Sequence, residues 1–124
     1  MYERKIPLRL NCGLELIAKV LYGKWKILLL WNIDQGSKRP SELQRKIPDA
    51  SRRVLNIQLQ ELEAHGIIEK TIYPVTPPKV EYSFTEFGNS LLPVIKIMGH
   101  WGEVNKEHLQ SVINKSERAI TFEK

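Results

Sequence analysis

The chain has 124 residues, 42% hydrophobic and 27% charged, a composition that fits one globular domain with a single core. Nineteen Lys and Arg against fourteen Asp and Glu give a net charge of +5 and a pI near 9.4, which favours an anionic partner. The lone cysteine, Cys12, excludes an intramolecular disulfide framework, the start from Met1 to Pro7 lacks a signal-peptide core, and apolar runs such as Ile27 to Trp31 fall short of the roughly 20 residues of a membrane span, so a cytoplasmic protein without a membrane partner is expected.

Leu14, Ile17, Val20 and Leu21 recur at helical spacing after Cys12, and Gly23 separates them from a second run, Lys24 to Ile33, that is apolar on nearly every side and ends at Gln35-Gly36. The spacing predicts two helices, the second in the middle of the core. Pro40 suits a first helical turn, and Leu43 and Ile47 lie four apart in a short helix of about two turns. Pro48-Asp49-Ala50 reads as a turn and Ser51 as the N-cap of a helix from Arg52 to His65, with Leu55, Leu59 and Leu62 as its inner stripe and Gly66 as its stop. A short helix, a turn and a longer amphipathic helix make a helix-turn-helix.

Beyond Gly66 the period shortens. Ile67 to Tyr73 and Lys79 to Phe84 are β-branched and aromatic, and Pro74-Val75-Thr76-Pro77-Pro78 between them is too proline-rich for a strand interior, so a hairpin with a stiff tip is expected. Thr85 caps a last helix from Glu86, whose Leu91, Leu92, Val94, Ile95, Ile97, Met98, Trp101 and Val104 form a stripe too wide for one intramolecular contact. Residues 110–124 are polar and weakly patterned, and read as a frayed helix or tail that extends a single domain over residues 1–124.

The order of elements predicts a mainly α, α+β fold: a winged helix-turn-helix with dimerisation helices at both ends. Cys12, Gly23-Lys24-Trp25, Ser41-Glu42-Leu43, Leu55, Leu59, Leu62-Glu63, Gly66, Tyr73-Pro74, the run from Pro77 to Tyr82, Thr85-Glu86-Phe87-Gly88 and Trp101-Gly102 resemble the signature of the HxlR family of bacterial transcriptional regulators. The segment from Pro77 to Gly88 is the most specific part. Pro40 and Gly13 depart from the family pattern, which usually has Phe and Pro there.

Charge is concentrated where DNA would bind. Six cations, Lys38, Arg39, Arg45, Lys46, Arg52 and Arg53, face only Glu42 and Asp49 over residues 38–53, a local +4 that leaves +1 for the other 108 residues. Mixed charges are often only a solvated surface, but here they coincide with the helix-turn-helix. At 100° per residue, Arg53, Asn56, Ile57 and Gln60 lie opposite the leucine stripe, where Arg can pair with guanine, Asn or Gln with adenine, and Ile57 can meet a thymine methyl. Ser51 and Arg52 stand at the helix N-terminus, where a phosphate also meets free N–H groups. Lys79 and the Thr76-Pro77-Pro78 tip are the wing contacts, although a hairpin can also merely cover the core. The resemblance adds Lys24 beside the DNA backbone, and Lys26 is a further candidate.

Pairing through Leu14, Ile17 and Leu21 and through Leu91, Ile95, Met98 and Trp101 gives a homodimer on double-stranded DNA, and its symmetry implies a pseudo-palindromic operator. Cys12, at a helix N-terminus with Arg9 nearby, is set to favour a thiolate, although a free cysteine is also often a small core filler. The resemblance implies a thiol-based sensor of electrophiles or oxidants, in which modification of Cys12 or a disulfide to the partner's cysteine alters DNA affinity. His100, Glu103, Glu107 and His108 lack metal-ligand spacing, and no nucleophile-base-acid set is present, so neither an enzyme, a metal nor a cofactor is expected. The alternative is a winged-helix protein-interaction module that binds no DNA.

Overall fold

The computed structural model describes residues 12–123, and the side chains of residues 12–118. Six helices and one hairpin follow in the order α1 (Gly13–Val20), α2 (Lys26–Asp34), α3 (Pro40–Lys46), α4 (Arg52–Ala64), β1 (Ile68–Tyr73), β2 (Lys79–Phe84), α5 (Glu86–Val104) and α6 (Lys106–Glu123). The expected mainly helical winged fold is present, and the described chain divides into two compact units at Asn89 and Ser90.

In the first unit the core is built from the leucine and isoleucine positions that the periodicity marks. Leu29, Leu30 and Ile33 of α2, Leu43 of α3, Leu55, Leu59 and Leu62 of α4, Ile68 of β1 and Tyr82 of β2 are all buried. Fully burying each such aliphatic side chain contributes about 1.5–3 kcal/mol. The expectation of a second helix buried on every side is corrected in part, because Leu28 is exposed and Trp31 only half-buried.

The hairpin pairs in antiparallel register, Ile68 with Phe84 through Tyr73 with Lys79. Alternation therefore puts Thr71, Tyr73, Lys79 and Glu81 on one face and Ile68, Tyr82 and Phe84 on the other. The Tyr82 N–H also donates to the Lys38 carbonyl at 2.8 Å, which ties β2 to the approach to α3.

Helix α4 ends in a Schellman motif. Gly66 has φ +76°, Ile67 N–H donates to the Leu62 carbonyl and Gly66 N–H to the Glu63 carbonyl, both at 3.0 Å, while Leu62 and Ile67 are buried. Thr85 links this motif to α5: its hydroxyl donates to the Gly66 carbonyl at 2.6 Å and accepts the Gly88 N–H at 2.8 Å. A Cβ at Gly88 would overlap the Ile67 carbonyl, so only glycine permits the approach.

In the second unit, of the two expected alternatives, a frayed helix or a tail, a helix is present and starts earlier: residues 106–123 form α6, separated from α5 by Asn105 alone. The Asn105 side chain donates to the Trp101 carbonyl at 2.9 Å, where it satisfies an α5 carbonyl near the break.

Candidate nucleic-acid interface

Two polar devices set the helix-turn-helix. Glu42 Oε1 accepts the N–H groups of Arg39 at 3.0 Å and Lys38 at 3.1 Å, closing the start of α3. The Arg39 amide, aided by that of Lys38 and by the Arg39 and Arg45 charges, holds the Glu42 carboxyl below its ordinary pKa. In the turn, Gln44 Nε2 donates to the Ala50 carbonyl at 2.6 Å, and Ser51 Oγ then accepts the Val54 N–H at 3.1 Å as the N-cap of α4.

With its leucine stripe buried, α4 presents Arg53, Asn56, Ile57 and Gln60 to solvent as one row, and Ile57 is 44% exposed. Val54 lies in the same exposed region, which the rotational argument does not single out. Gln58 turns inward instead: its Oε1 accepts the Trp25 N–H at 2.9 Å and fastens α4 to the start of α2. Trp25, expected in the core, is half-buried, and the Lys24 ammonium stands over its ring at 5.0 Å.

Lys38, Arg39, Arg45, Lys46, Ser51 and Arg52 are all exposed as well. Lys26 is a correction. It is only 2% exposed, with its ammonium 3.0 Å from Glu61 Oε1 and donating to the Val20 carbonyl at 3.3 Å, so it joins α2 to α4 and to the end of α1 and does not face a phosphate. The i, i+1 spacing from Trp25 gave no sign of this. Its partner on α4 could be found only once the helices were packed.

The hairpin extends beyond the core, and its tip residues from Pro74 to Pro78 are exposed. Between the tip and the helix-turn-helix lies a cleft of about 520 Å³ lined by Arg39, Ser41, Arg52, Pro77, Lys79 and Val80 among others. Lys79 lies over the Tyr73 ring at 4.8 Å and 3.6 Å from Glu81 Oε2, which is also 3.7 Å from Arg39 Nε. The Glu81 carboxylate raises the Tyr73 pKa. Strand alternation places Glu81 beside Lys79, but Arg39 is 42 positions away and the contact is not readable from the pattern.

Cys12 is exposed at the N-cap of α1, which corrects the core-filler alternative. Its sulfur accepts no full capping bond, yet the backbone amides of Glu15 and, less, Leu14 hold the thiol below its ordinary pKa. Arg9 lies outside the described residues. Leu14 is 76% exposed on α1, while Ile17 and Leu21 are half-buried. In the second unit Met98 and Trp101 are exposed, and Val94, Ile97 and Val104 complete their stripe. Leu91 is half-buried, and Ile95 is a correction: at 1% exposure it is already covered within one chain and has no surface for a partner.

Residues 20–110 match the model of the HxlR-like helix-turn-helix family. The chain is 43% identical over 113 residues to the HTH-type transcriptional regulator YybR of Bacillus subtilis strain 168, covering 90% of each chain. It superposes on the redox regulator HypR in its reduced form with a TM-score of 0.75 at 44% identity, over 81% of this chain and 99% of HypR. It also superposes on diamide-treated YodB from B. subtilis with a TM-score of 0.62 at 33% identity, over 77% of this chain and 95% of YodB. These relatives are transcriptional regulators and not enzymes, and among the described residues no helix is long and apolar enough to cross a membrane. The chain belongs to the HxlR-like helix-turn-helix family of transcriptional regulators.

Proposed function

We propose that the protein is a cytoplasmic homodimer that reads a pseudo-palindromic operator in double-stranded DNA and responds to electrophiles or oxidants through Cys12. The observation that carries the DNA reading is the solvent-facing row Arg53, Asn56, Ile57 and Gln60 on a capped α4, which continues directly from the basic segment of residues 38–53. Lys24, Lys38, Arg39, Arg45, Lys46, Ser51, Arg52 and Lys79 surround it as backbone contacts, and their charges neutralise phosphates. The exposed stripe of α5 and Leu14 on α1 supply apolar surface for pairing, which gives two recognition helices related by a two-fold axis.

The sensing reading rests on Cys12 being exposed, with amides of α1 favouring its thiolate, and on the relatives HypR, seen in reduced and oxidised forms, and YodB, seen after diamide treatment. Thiolate addition to an electrophilic double bond forms a C–S bond as the π bond breaks and its electron pair takes up a proton, whereas diamide takes two electrons and two protons from two thiols, one from each chain, to leave a disulfide and a hydrazine.

The deciding experiment is a footprint on the chain's own upstream region, with and without diamide, for the wild type and Cys12→Ser. A symmetric footprint that diamide alters only in the wild type supports the whole reading. A single asymmetric half-site at saturation removes the dimeric operator, and identical behaviour of both proteins under diamide removes the sensor. Binding to a protein partner with no salt-dependent DNA binding favours the interaction-module alternative.

A further inference from the structure

Glu81 is a carboxylate on the face that gathers phosphates, where charge alone makes it a liability. Its surroundings give it a task. Its side chain is 25% exposed and stands 3.7 Å from Arg39 Nε at the start of α3 and 3.6 Å from Lys79 Nζ on the wing. Lys79 is held on a second side by the Tyr73 ring, and the neighbouring Tyr82 N–H to Lys38 carbonyl bond fixes the backbone between the same two elements. Arg39 and Lys79 line the cleft together with Ser41 and Arg52. Two long cationic side chains tethered before binding lose less conformational freedom when a phosphate arrives.

Resting on the DNA-binding reading above, we propose that Glu81 is a positioning residue for operator recognition: it holds Arg39 and Lys79 as a pre-set pair around the cleft between wing and helix-turn-helix, that cleft seats one backbone phosphate, and this contact sets the register of α4 on the bases. Phosphate contacts fix orientation while base contacts specify, so loosening the pair lowers discrimination without lowering general attraction to DNA.

The test selects a duplex from a random library with the wild-type protein, then compares binding to that duplex and to an unrelated one across a salt series. Glu81→Gln is expected to bind the selected duplex about three- to tenfold more weakly, with unchanged or tighter binding to the unrelated one. In an Arg39→Gln background the same substitution is expected to change the ratio by less than about twofold. Thermal melting identifies a folding defect, and if Glu81→Gln does not fold, Tyr73→Leu, which removes the ring that Lys79 lies over, is expected to lower the ratio in the same direction. Equal tightening on both duplexes, a ratio untouched by these substitutions, or additive effects of Arg39→Gln and Glu81→Gln overturns the proposal. A wild type that selects no sequence overturns the DNA-binding reading itself.

Discussion

The Lys26 ammonium lies 3.0 Å from Glu61 Oε1, with the lysine side chain 3% exposed and the glutamate side chain 51% exposed. The pair is therefore asymmetric: water still solvates the carboxylate, but Glu61 and the Val20 carbonyl are what satisfies the ammonium. Losing Glu61 leaves a buried charge, whereas losing Lys26 leaves a half-solvated carboxylate. Glu61→Ala is expected to cost about 1–3 kcal/mol, below the about 3–5 kcal/mol of a fully buried pair because one member is exposed. Lys26→Met, which fills the same space without a charge, is expected to cost less than Glu61→Ala, and urea denaturation of the two variants measures the order.

Glu42 gives a pH dependence with a definite sign. Its folded-state pKa is lowered by the Arg39 and Lys38 amides and by the Arg39 and Arg45 charges, so the carboxylate form is favoured by folding. That stabilisation is complete above the unfolded carboxylate pKa and is lost as pH falls through the lowered folded value. The wild type is expected to melt above Glu42→Gln at neutral pH, and the two melting curves are expected to converge in acid. A gap that widens as pH falls contradicts the assignment.

At the start of α5, Gly88 tests close approach and not flexibility. It is a helical residue in ordinary conformation, yet a Cβ there runs into the Ile67 carbonyl, which is backbone and accepts the Thr85 N–H at 3.1 Å. In an open helix Gly→Ala stabilises by about 0.5–1 kcal/mol. Here Gly88→Ala is expected to reverse that sign and destabilise by about 1–3 kcal/mol, because the α5 start must move off the Schellman motif. Chemical denaturation measures it.

These cases also mark what the linear pattern carries. The leucine positions of α4, the Ser51 and Thr85 caps and the two strands were all readable, because periodicity, caps and turns act within a few residues. Lys26–Glu61, Gln58 to Trp25 and Arg39–Glu81 join positions 35, 33 and 42 apart, and no local rule links them. Helix α6 was only half-readable for a different reason: its apolar residues, Leu109, Val112, Ile113, Ile120 and Phe122, are spread thinly among polar ones, so the pattern leaves a frayed helix and a tail both open. Of the interface, the outward row of α4 was legible from rotation alone. The cleft and Glu81 required the hairpin to be folded against α3.

The proposed base-reading position on α4 and the proposed phosphate-binding position on α3 are expected to fail differently. Arg53→Ala is expected to cost about 1–3 kcal/mol on the selected duplex and to relax preference at one base position. Lys46→Ala, at the end of α3 and exposed, is expected to weaken all duplexes alike and to reduce the salt slope by about one. A uniform loss for Arg53→Ala moves that residue to the phosphate set.

The exposed face of α5 makes the last prediction. Val94, Ile97, Met98, Trp101 and Val104 follow one another at spacings of three, one, three and three, which is one helical stripe, and Ile97 and Trp101 are 69% and 60% exposed. The buried side of the same helix holds Ile95 instead, so the exposed row is separate from the chain's own packing. Charging the exposed row therefore leaves the folded chain intact. On the proposed pairing, Ile97→Asp and Trp101→Asp are expected to keep the far-UV circular dichroism of the wild type and to shift its sedimentation to the monomer, while Ile95→Asp is expected to lose structure. Because a monomer engages only one half-site, the first two variants are also expected to lose the symmetric footprint while keeping salt-dependent binding to any duplex.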